Sequence, residues 1–216
     1  MTSPVWKAVS LFATPVVAVE MGDVSGVRDF FYARIKDQVV DAKQRRQTSG
    51  QITHYHSGAN VFEIYPELTP LGERLEEAGS FVYRDLLNYK RSGRMRIKGA
   101  WFNLCDLGGT QPRHNHANCL LSGTLYLHAD EHTAISFHSP QSIFSTHAEL
   151  HDQPDEGPNT HGLTFHYQHA AVPVRSGDCL FWPSPILHSY EDNKTPARLT
   201  LSFNLLPERL NSLYQL

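Results

Sequence analysis

The spacing of apolar positions changes character once along this chain, close to residue 96. Before it, two stretches carry the helical period. Val24, Val27, Phe31, Ile35 and Val39 recur three and four residues apart, which predicts a helix running to about Arg45 with Asp23 as its cap. Thr69-Pro70 is a good Ncap–N1 pair. The stripe Leu71, Leu75, Ala78, Val82 and Leu86 then predicts a second helix. Residues 6–20 read as an extended segment interrupted near Pro15. Gln47 to Asn60 reads as a polar, glycine-containing loop that holds His54 and His56.

From Arg96 onward the chain becomes short runs of Val, Leu, Phe, Trp and Tyr parted by Gly, Pro, Asn and Asp. Strands are expected at 96–105, 118–128, 133–137, 163–168, 171–175, 178–183, 185–190 and 197–206. Short strands after an α-rich start imply an α+β, mainly β fold: a jelly roll flanked by two N-terminal helices. The length suits one domain over 1–216, with 1–95 as the flank and 96–216 as the core. Residues 138–162 have no clear period and hold several His, the texture of a lid or binding loop. The chain has no internal repeat.

Composition narrows the function classes. Forty per cent hydrophobic and 19 % charged residues are globular values, and the net charge of −3 with no long basic run argues against nucleic acid or an anionic membrane as partner. The most basic stretch, Lys90 to Lys98, reads as a solvated approach to a strand. Cys105, Cys119 and Cys179 form no Cys-x-x-Cys pair and sit in apolar runs, so they read as buried free thiols of a reducing compartment. No secretory signal is legible at the N-terminus and no segment reads as a membrane span, so a cytoplasmic location is expected. A homodimer is compatible with the sequence, and nothing in it decides the matter.

The chemistry centres on Gln111-Pro112-Arg113-His114-Asn115-His116. Side chains at i and i+2 of an extended chain share a face, so the two imidazoles can converge on one point. Neutral imidazole is the commonest protein metal ligand. With 13 His in 216 residues such a pair is expected by chance, and His54-Tyr55-His56 is a second one. The residues downstream set the first pair apart. Gly177-Asp178 makes a turn, a buried strand comes next, Pro183 and Pro185 bend the chain, and His188 lies near the end of the next strand. Ten residues on, Arg198 opens a strand in which Arg198, Thr200, Ser202 and Asn204 share one face and Leu199, Leu201 and Phe203 the other. An Arg in an otherwise apolar strand is costly to bury without an anion.

In order, the chain reads Trp101-x-Asn103, His114-x-His116, Ser122-Gly123-x-x-Tyr126-Leu127, Gly177 through Pro183-Ser184 to His188, and Arg198-x-Thr200-x-x-Phe203-Asn204. This series resembles a family of 2-oxoglutarate, iron(II)-dependent oxygenases, and the resemblance covers most of the chain. It implies the double-stranded β-helix form of the jelly roll and Fe(II), 2-oxoglutarate and O₂ as cofactor and cosubstrates. It further implies hydroxylation of a small-molecule or peptide substrate, with release of succinate and CO₂. It casts His114, His116 and His188 as metal ligands. Arg198 and Thr200 would hold the distal carboxylate of 2-oxoglutarate, with Asn103, Tyr126 and Ser122 as further contacts. No catalytic side chain beyond the metal ligands is implied.

His116 stands where the wider superfamily has a carboxylate. Three neutral imidazoles would leave an Fe(II) site at +2 rather than +1, which favours anionic ligands. Alternatively Asp106, Asp130 or a water completes the shell. The position is not a small residue, which argues against a halogenase. If His114 and His116 face inward, so do Asn118, Leu120, Ser122, Thr124 and Tyr126 until a bulge or twist resets the register. The remaining histidines (128, 132, 138, 147, 151, 161, 166 and 169) share no ligand spacing and read as surface or loop residues. The competing reading is a cupin-type three-His dioxygenase or lyase that does not use 2-oxoglutarate. The cupin pattern expects a Glu where Leu120 stands, and it gives Arg198 no task. A non-enzymatic jelly-roll binding module would leave the ordered series as coincidence.

Overall fold

The computed structural model describes residues 14–37, 45–49, 52–88, 94–138 and 169–209. Its strands form two antiparallel sheets. The larger runs, in spatial order, through β1 (Val17–Glu20), β9 (Asp178–Pro183), β6 (Leu121–His128), β11 (Arg198–Pro207), β4 (Met95–Cys105), β3 (Ile52–Tyr55) and β2 (Arg45–Ser49). The smaller consists of β5 (Gln111–His114), β10 (His188–Tyr190), β7 (Ala134–His138) and β8 (His169–Pro173). The sheets do not close into a barrel. The mainly β, jelly-roll architecture expected from the sequence is what forms.

Strand β11 lies at the centre of the large sheet, paired with β4 on one edge and β6 on the other. Its strict alternation explains its place. Leu199, Leu201, Phe203 and Leu205 are wholly buried against a layer of helices. That layer is α1 (Ser25–Arg34), the single turn α2 (Val61–Ile64) and α3 (Thr69–Phe81), which continues into a π-helical turn over Val82–Leu86. Phe31, Leu75 and Val82 supply the helical side of this core. Each such side chain contributes about 1.5–3 kcal/mol by leaving water. Glu76 of α3 ties the layer to the sheet: it pairs with Arg96 at 2.8 Å and accepts the Ile97 N–H at 3.0 Å. A second cluster lies between the sheets, with Tyr126, Leu180 and Trp182 from the large sheet against Ile135 and Phe137 from the small one.

Several local expectations are corrected. Helix α1 ends at Arg34, not near Arg45, and Ile35 leaves helical geometry while remaining fully buried. Asp23 does accept the Ser25 N–H, at 2.9 Å, but Val24 occupies the cap position. Thr69 is helical rather than a cap, because a 3₁₀ turn over Pro66–Leu68 runs directly into α3. Leu86, placed on the buried stripe by its spacing, is half exposed on the π-helical turn. The stretch 47–60 is not simply a loop: β2 and β3 form a hairpin that extends the large sheet beside β4. A short strand, β5, occupies 111–114, which no run of apolar residues announced. Strand β6 starts at Leu121 rather than 118, since residues 115–120 carry the chain from one sheet to the other. Residues 6–13, Val39, the expected strand at 163–168 and the stretch 139–162 lie outside the described residues. No helix among the described residues is long and apolar enough to cross a membrane.

Two glycines are required by geometry. At Gly177 (φ +95°) a Cβ would lie 2.6 Å from the Gly22 carbonyl oxygen, and this turn feeds β9. At Gly123 of β6 a Cβ would meet the ring of Phe203 at 2.4 Å. The Ser-Gly and Phe-Asn sequence motifs are thus two halves of one contact across the β6–β11 pair. Gly123→Ala should therefore lower stability by about 1–3 kcal/mol through overpacking, read as a lower denaturant midpoint with an unchanged m-value.

Candidate metal centre and buried arginine

Local backbone structure brings the three histidines together. His188 on β10 lies directly opposite His114 on β5 in the antiparallel register. His116 sits just past the end of β5, where its N–H donates to the Ser184 carbonyl at 3.1 Å. Asn118 then takes a left-handed conformation (φ 61°), and the chain crosses to the large sheet. One ring nitrogen from each of His114, His116 and His188 lies within 4.8 Å of the other two.

Hydrogen bonds assign the tautomers. Nδ1 of His114 lies 2.8 Å from the Pro112 carbonyl oxygen, and Nδ1 of His188 lies 3.1 Å from that of Ile186. Nδ1 of His116 lies 2.6 Å from Oδ1 of Asn204. All three oxygens can only accept, so each Nδ1 carries the proton and each Nε2 keeps its lone pair. In their neutral form three imidazoles with Nε2 free and ring nitrogens within 4.8 Å of one another are a donor set for a divalent transition metal, with the distant nitrogen anchored as metal-binding histidines require. Burial, and then the neighbouring His114, push His188 down to about 3. Burial likewise lowers His116. Neither ring is protonated at neutral pH, and Trp101 stacks on His116 with ring centroids 5.5 Å apart.

The second feature of the site is Arg198. It is 3 % exposed, makes no ion pair among the described residues, and leaves its Nε without a partner. Its guanidinium carbon lies 3.8 Å from the centroid of the Tyr190 ring and 5.5 Å from that of Tyr126. The Tyr126 hydroxyl is likewise buried and unpartnered. Burial raises both tyrosines, so they remain protonated donors. A buried guanidinium with no ion-pair partner among the described residues and an orphaned Nε is unfavourable in isolation, and the arrangement fits a carboxylate ligand. Both groups and the three histidines line one cavity of about 410 Å³ between the sheets, a size suited to a small ligand.

The other expected residues divide. Thr200 lines the cavity; its oxygen accepts from the Asn103 amide at 3.1 Å, so its own hydroxyl hydrogen is left to donate. Asn103 also lines it, but its amide is engaged on both sides: the NH₂ donates to Thr200 and Ser202, and Oδ1 meets His54 Nδ1 at 2.5 Å. Asn103 therefore organises the wall rather than offering a free donor. Ser122 does not reach the cavity. It is fully buried, 3.0 Å from Ser184 Oγ and 3.4 Å from Asn204 Oδ1. Asp130 is occupied in a turn with Thr133 and Thr195, and neither it nor Asp106 lines the cavity.

Sequence reasoning missed Asn204 and Trp101 as site residues, although both stood in the motif series, and it left His54 in a loop. The pairing of His54 with Asn103 across β3 and β4 is what brings His54 into the wall. His138, expected at the surface, is buried and hydrogen-bonds Ser189 at 2.8 Å. The three cysteines are free; Cys105 and Cys179 are buried and Cys119 is half-buried.

Burial of neutral His188 makes the stability of the metal-free protein depend on pH. A buried neutral ring favours the fold fully above the unfolded value near 6.5, and that contribution is lost as pH falls from there toward the folded value of about 3. With chelator present, the denaturant midpoint should fall between pH 7.5 and 5.5, and fall less in His188→Asn.

Comparison with known proteins agrees with this geometry. Residues 99–204, which span β4 to β11 and all the site residues except His54, match the model of the family described as "Putative 2OG-Fe(II) oxygenase". No protein of curated function matches the chain in sequence. Among solved structures, the chain is similar to SnoN, a non-heme α-ketoglutarate-dependent epimerase from nogalamycin biosynthesis. Identity is 17 % and the TM-score 0.59, over 89 % of this chain and 76 % of that one. It is similar also to HygX from Streptomyces hygroscopicus with nickel and 2-oxoglutarate bound, at 13 % identity and a TM-score of 0.57, over 90 % and 84 %. A third is an oxidoreductase of the 2OG-Fe(II) oxygenase family from Burkholderia pseudomallei, at 10 % identity and a TM-score of 0.57, over 88 % and 84 %. At these identities the structural likeness is one of fold, and it is the jelly roll seen here. The sequence match over the core, carried on that fold, makes the chain similar to the 2-oxoglutarate/Fe(II) oxygenases.

Proposed function

We propose that this protein is an Fe(II)- and 2-oxoglutarate-dependent hydroxylase of a small-molecule or peptide substrate. The observation that carries the reading is the pairing, in one cavity, of three histidines with ring nitrogens within 4.8 Å of one another and a buried arginine with no ion-pair partner among the described residues. His114, His116 and His188 would hold Fe(II), and Arg198 the distal carboxylate of 2-oxoglutarate. Fe(II) with 2-oxoglutarate and O₂ would supply the oxidising chemistry, the cosubstrate leaving as succinate and CO₂. A cupin-type activity without 2-oxoglutarate gives the unpaired Arg198 nothing to do.

The chain's own contributions come from its packing. The Pro112, Ile186 and Asn204 oxygens hold the imidazoles in the tautomer that presents Nε2. Tyr190 lies against the Arg198 guanidinium and holds it flat, so that its planar fork can meet a carboxylate with two parallel hydrogen bonds. Tyr126 and Thr200 each offer a hydroxyl hydrogen beside it. Ile135 gives the cavity an apolar lining, and Phe137 and Trp182 pack behind His188, which lowers the local dielectric and would strengthen an ion pair in the cavity. With three neutral donors the centre would carry +2, which favours a dianionic cosubstrate. The epimerase SnoN and SnoK, a carbocyclase also from nogalamycin biosynthesis at 15 % identity and a TM-score of 0.58, share the fold, so the oxidative outcome is a property to be measured.

The test is an anaerobic titration. Protein loaded with Fe(II) should develop a weak visible charge-transfer band as 2-oxoglutarate is added. No band at saturating 2-oxoglutarate would sink the proposal. Arg198→Ala should weaken the titration at least about thirty-fold, the lower end of the 2–5 kcal/mol lost when a buried charge pair is broken. His116→Ala should lose metal affinity; parent-like affinity and spectrum in that variant would remove His116 from the ligand set. Aerobic turnover with a substrate library should yield a product heavier by one oxygen, with succinate formed in equal amount.

A further inference from the structure

The three imidazoles are not oriented in the same way. His114 and His188 each direct Nδ1 to a carbonyl two residues earlier in the chain, so their ring positions are set locally. His116 has no such local acceptor. Its Nδ1 partner is the side chain of Asn204, 88 residues away on β11, at 2.6 Å, the shortest of the three contacts. A closed circuit holds that amide. Asn204 stands opposite Ser122 in the β6–β11 register. The Ser122 hydroxyl lies 3.4 Å from Asn204 Oδ1 and 3.0 Å from Ser184 Oγ. The Ser184 carbonyl in turn takes the His116 N–H at 3.1 Å. Asn204 also lies where the pairing of β11 with β4 is irregular, next to Leu205, so that a bulge sets its reach into the cavity.

Resting on the reading of the site as an iron centre, we infer that Asn204 is its positioning residue: its amide oxygen fixes His116 with Nε2 as the ligand atom, and because that oxygen belongs to a neutral group it leaves the charge of the centre at that of the metal. A carboxylate in the same place would also accept the Nδ1 hydrogen. It would draw that proton, make the imidazole a stronger and partly anionic donor, and reduce the pull of the centre on a dianion. The neutral amide is thus matched to a site that has exchanged the usual ligand carboxylate for His116. It keeps the centre attractive to an anionic cosubstrate while still locking the ring.

The test uses Asn204→Ala and the near-isosteric Asn204→Asp, with Co(II) affinity measured by competition with a chromophoric chelator, followed by the Fe(II)/2-oxoglutarate band. Asn204→Ala should bind Co(II) about 10–100-fold more weakly than the parent, the usual loss when an anchoring partner is removed. Asn204→Asp should restore Co(II) affinity to at least the parent value. It should also bind 2-oxoglutarate several-fold more weakly and move the charge-transfer band to longer wavelength, because the metal electrons are raised in energy. Parent-like Co(II) affinity in Asn204→Ala would overturn the inference. So would an Asn204→Asp variant that binds Co(II) as poorly as Asn204→Ala, or one whose band and 2-oxoglutarate affinity match the parent. If Asn204→Ala fails to unfold cooperatively, the Asp variant decides alone by its band. A parent protein that binds no Co(II) would instead sink the reading of the centre itself, which separates the two failures.

Discussion

Everything in this molecule is hung on the two faces of strand β11. Paired on both edges, it has no backbone left for solvent, and its alternation sends Leu199, Leu201, Phe203 and Leu205 to the helices and Arg198, Thr200, Ser202 and Asn204 to the cavity. A polar face so deeply placed must find partners within the protein or in a ligand. Three of its four polar side chains do so within the protein. Thr200 and Ser202 join the Asn103 amide, and Asn204 joins His116. Arg198 does not complete its set: its Nε has no partner, which sets this face apart from a second core.

The three-histidine cluster is built on a different plan. Two of its rings are oriented by their own turns and the third by a residue brought in through the fold. A metal bound there would couple folding to metal binding through His116, since the sheets must meet correctly before its ring is locked. The cavity electrostatics follow from neutrality. Burial and the neighbouring imidazoles hold His188 and His116 unprotonated, and the only permanent charge among the described residues lining the cavity is Arg198. A metal on the histidines and the arginine would therefore attract the same kind of ligand, a small polycarboxylate, within one cavity.

Close packing behind the site sets its tolerances. The Phe203 ring lies across Gly123 with no room for one methyl group, so the neighbouring positions Ser122, Ser202 and Asn204 are held in register by an apolar contact on the far side of the sheet. The helical layer contributes by the same route. Glu76 and Ser80 of α3 satisfy the first backbone groups of β4, which fixes where Trp101 and Asn103 enter the cavity.

The sequence by itself determined the strand-rich core, the central two-faced strand, and the identities of the convergent histidines and the arginine. Period-two alternation and short-range spacing are local properties, and a motif series in fixed order survives without coordinates. It also placed His116 at the motif position where the resembled superfamily has a carboxylate. Tertiary structure alone decided the rest. It showed that β5 and β6 belong to different sheets, because a six-residue crossing breaks the alternation that would have run through Ser122. It turned the 47–60 stretch into a hairpin and His54 into part of the cavity wall, because strand pairing with β4 outweighs a polar, loop-like composition. It engaged Asn103 with its neighbours and left Thr200 and Tyr126 with hydrogens to give. And it put Asn204 on His116, a contact spanning 88 residues, which no local pattern can encode because only the packing of two sheets brings those side chains within hydrogen-bonding reach.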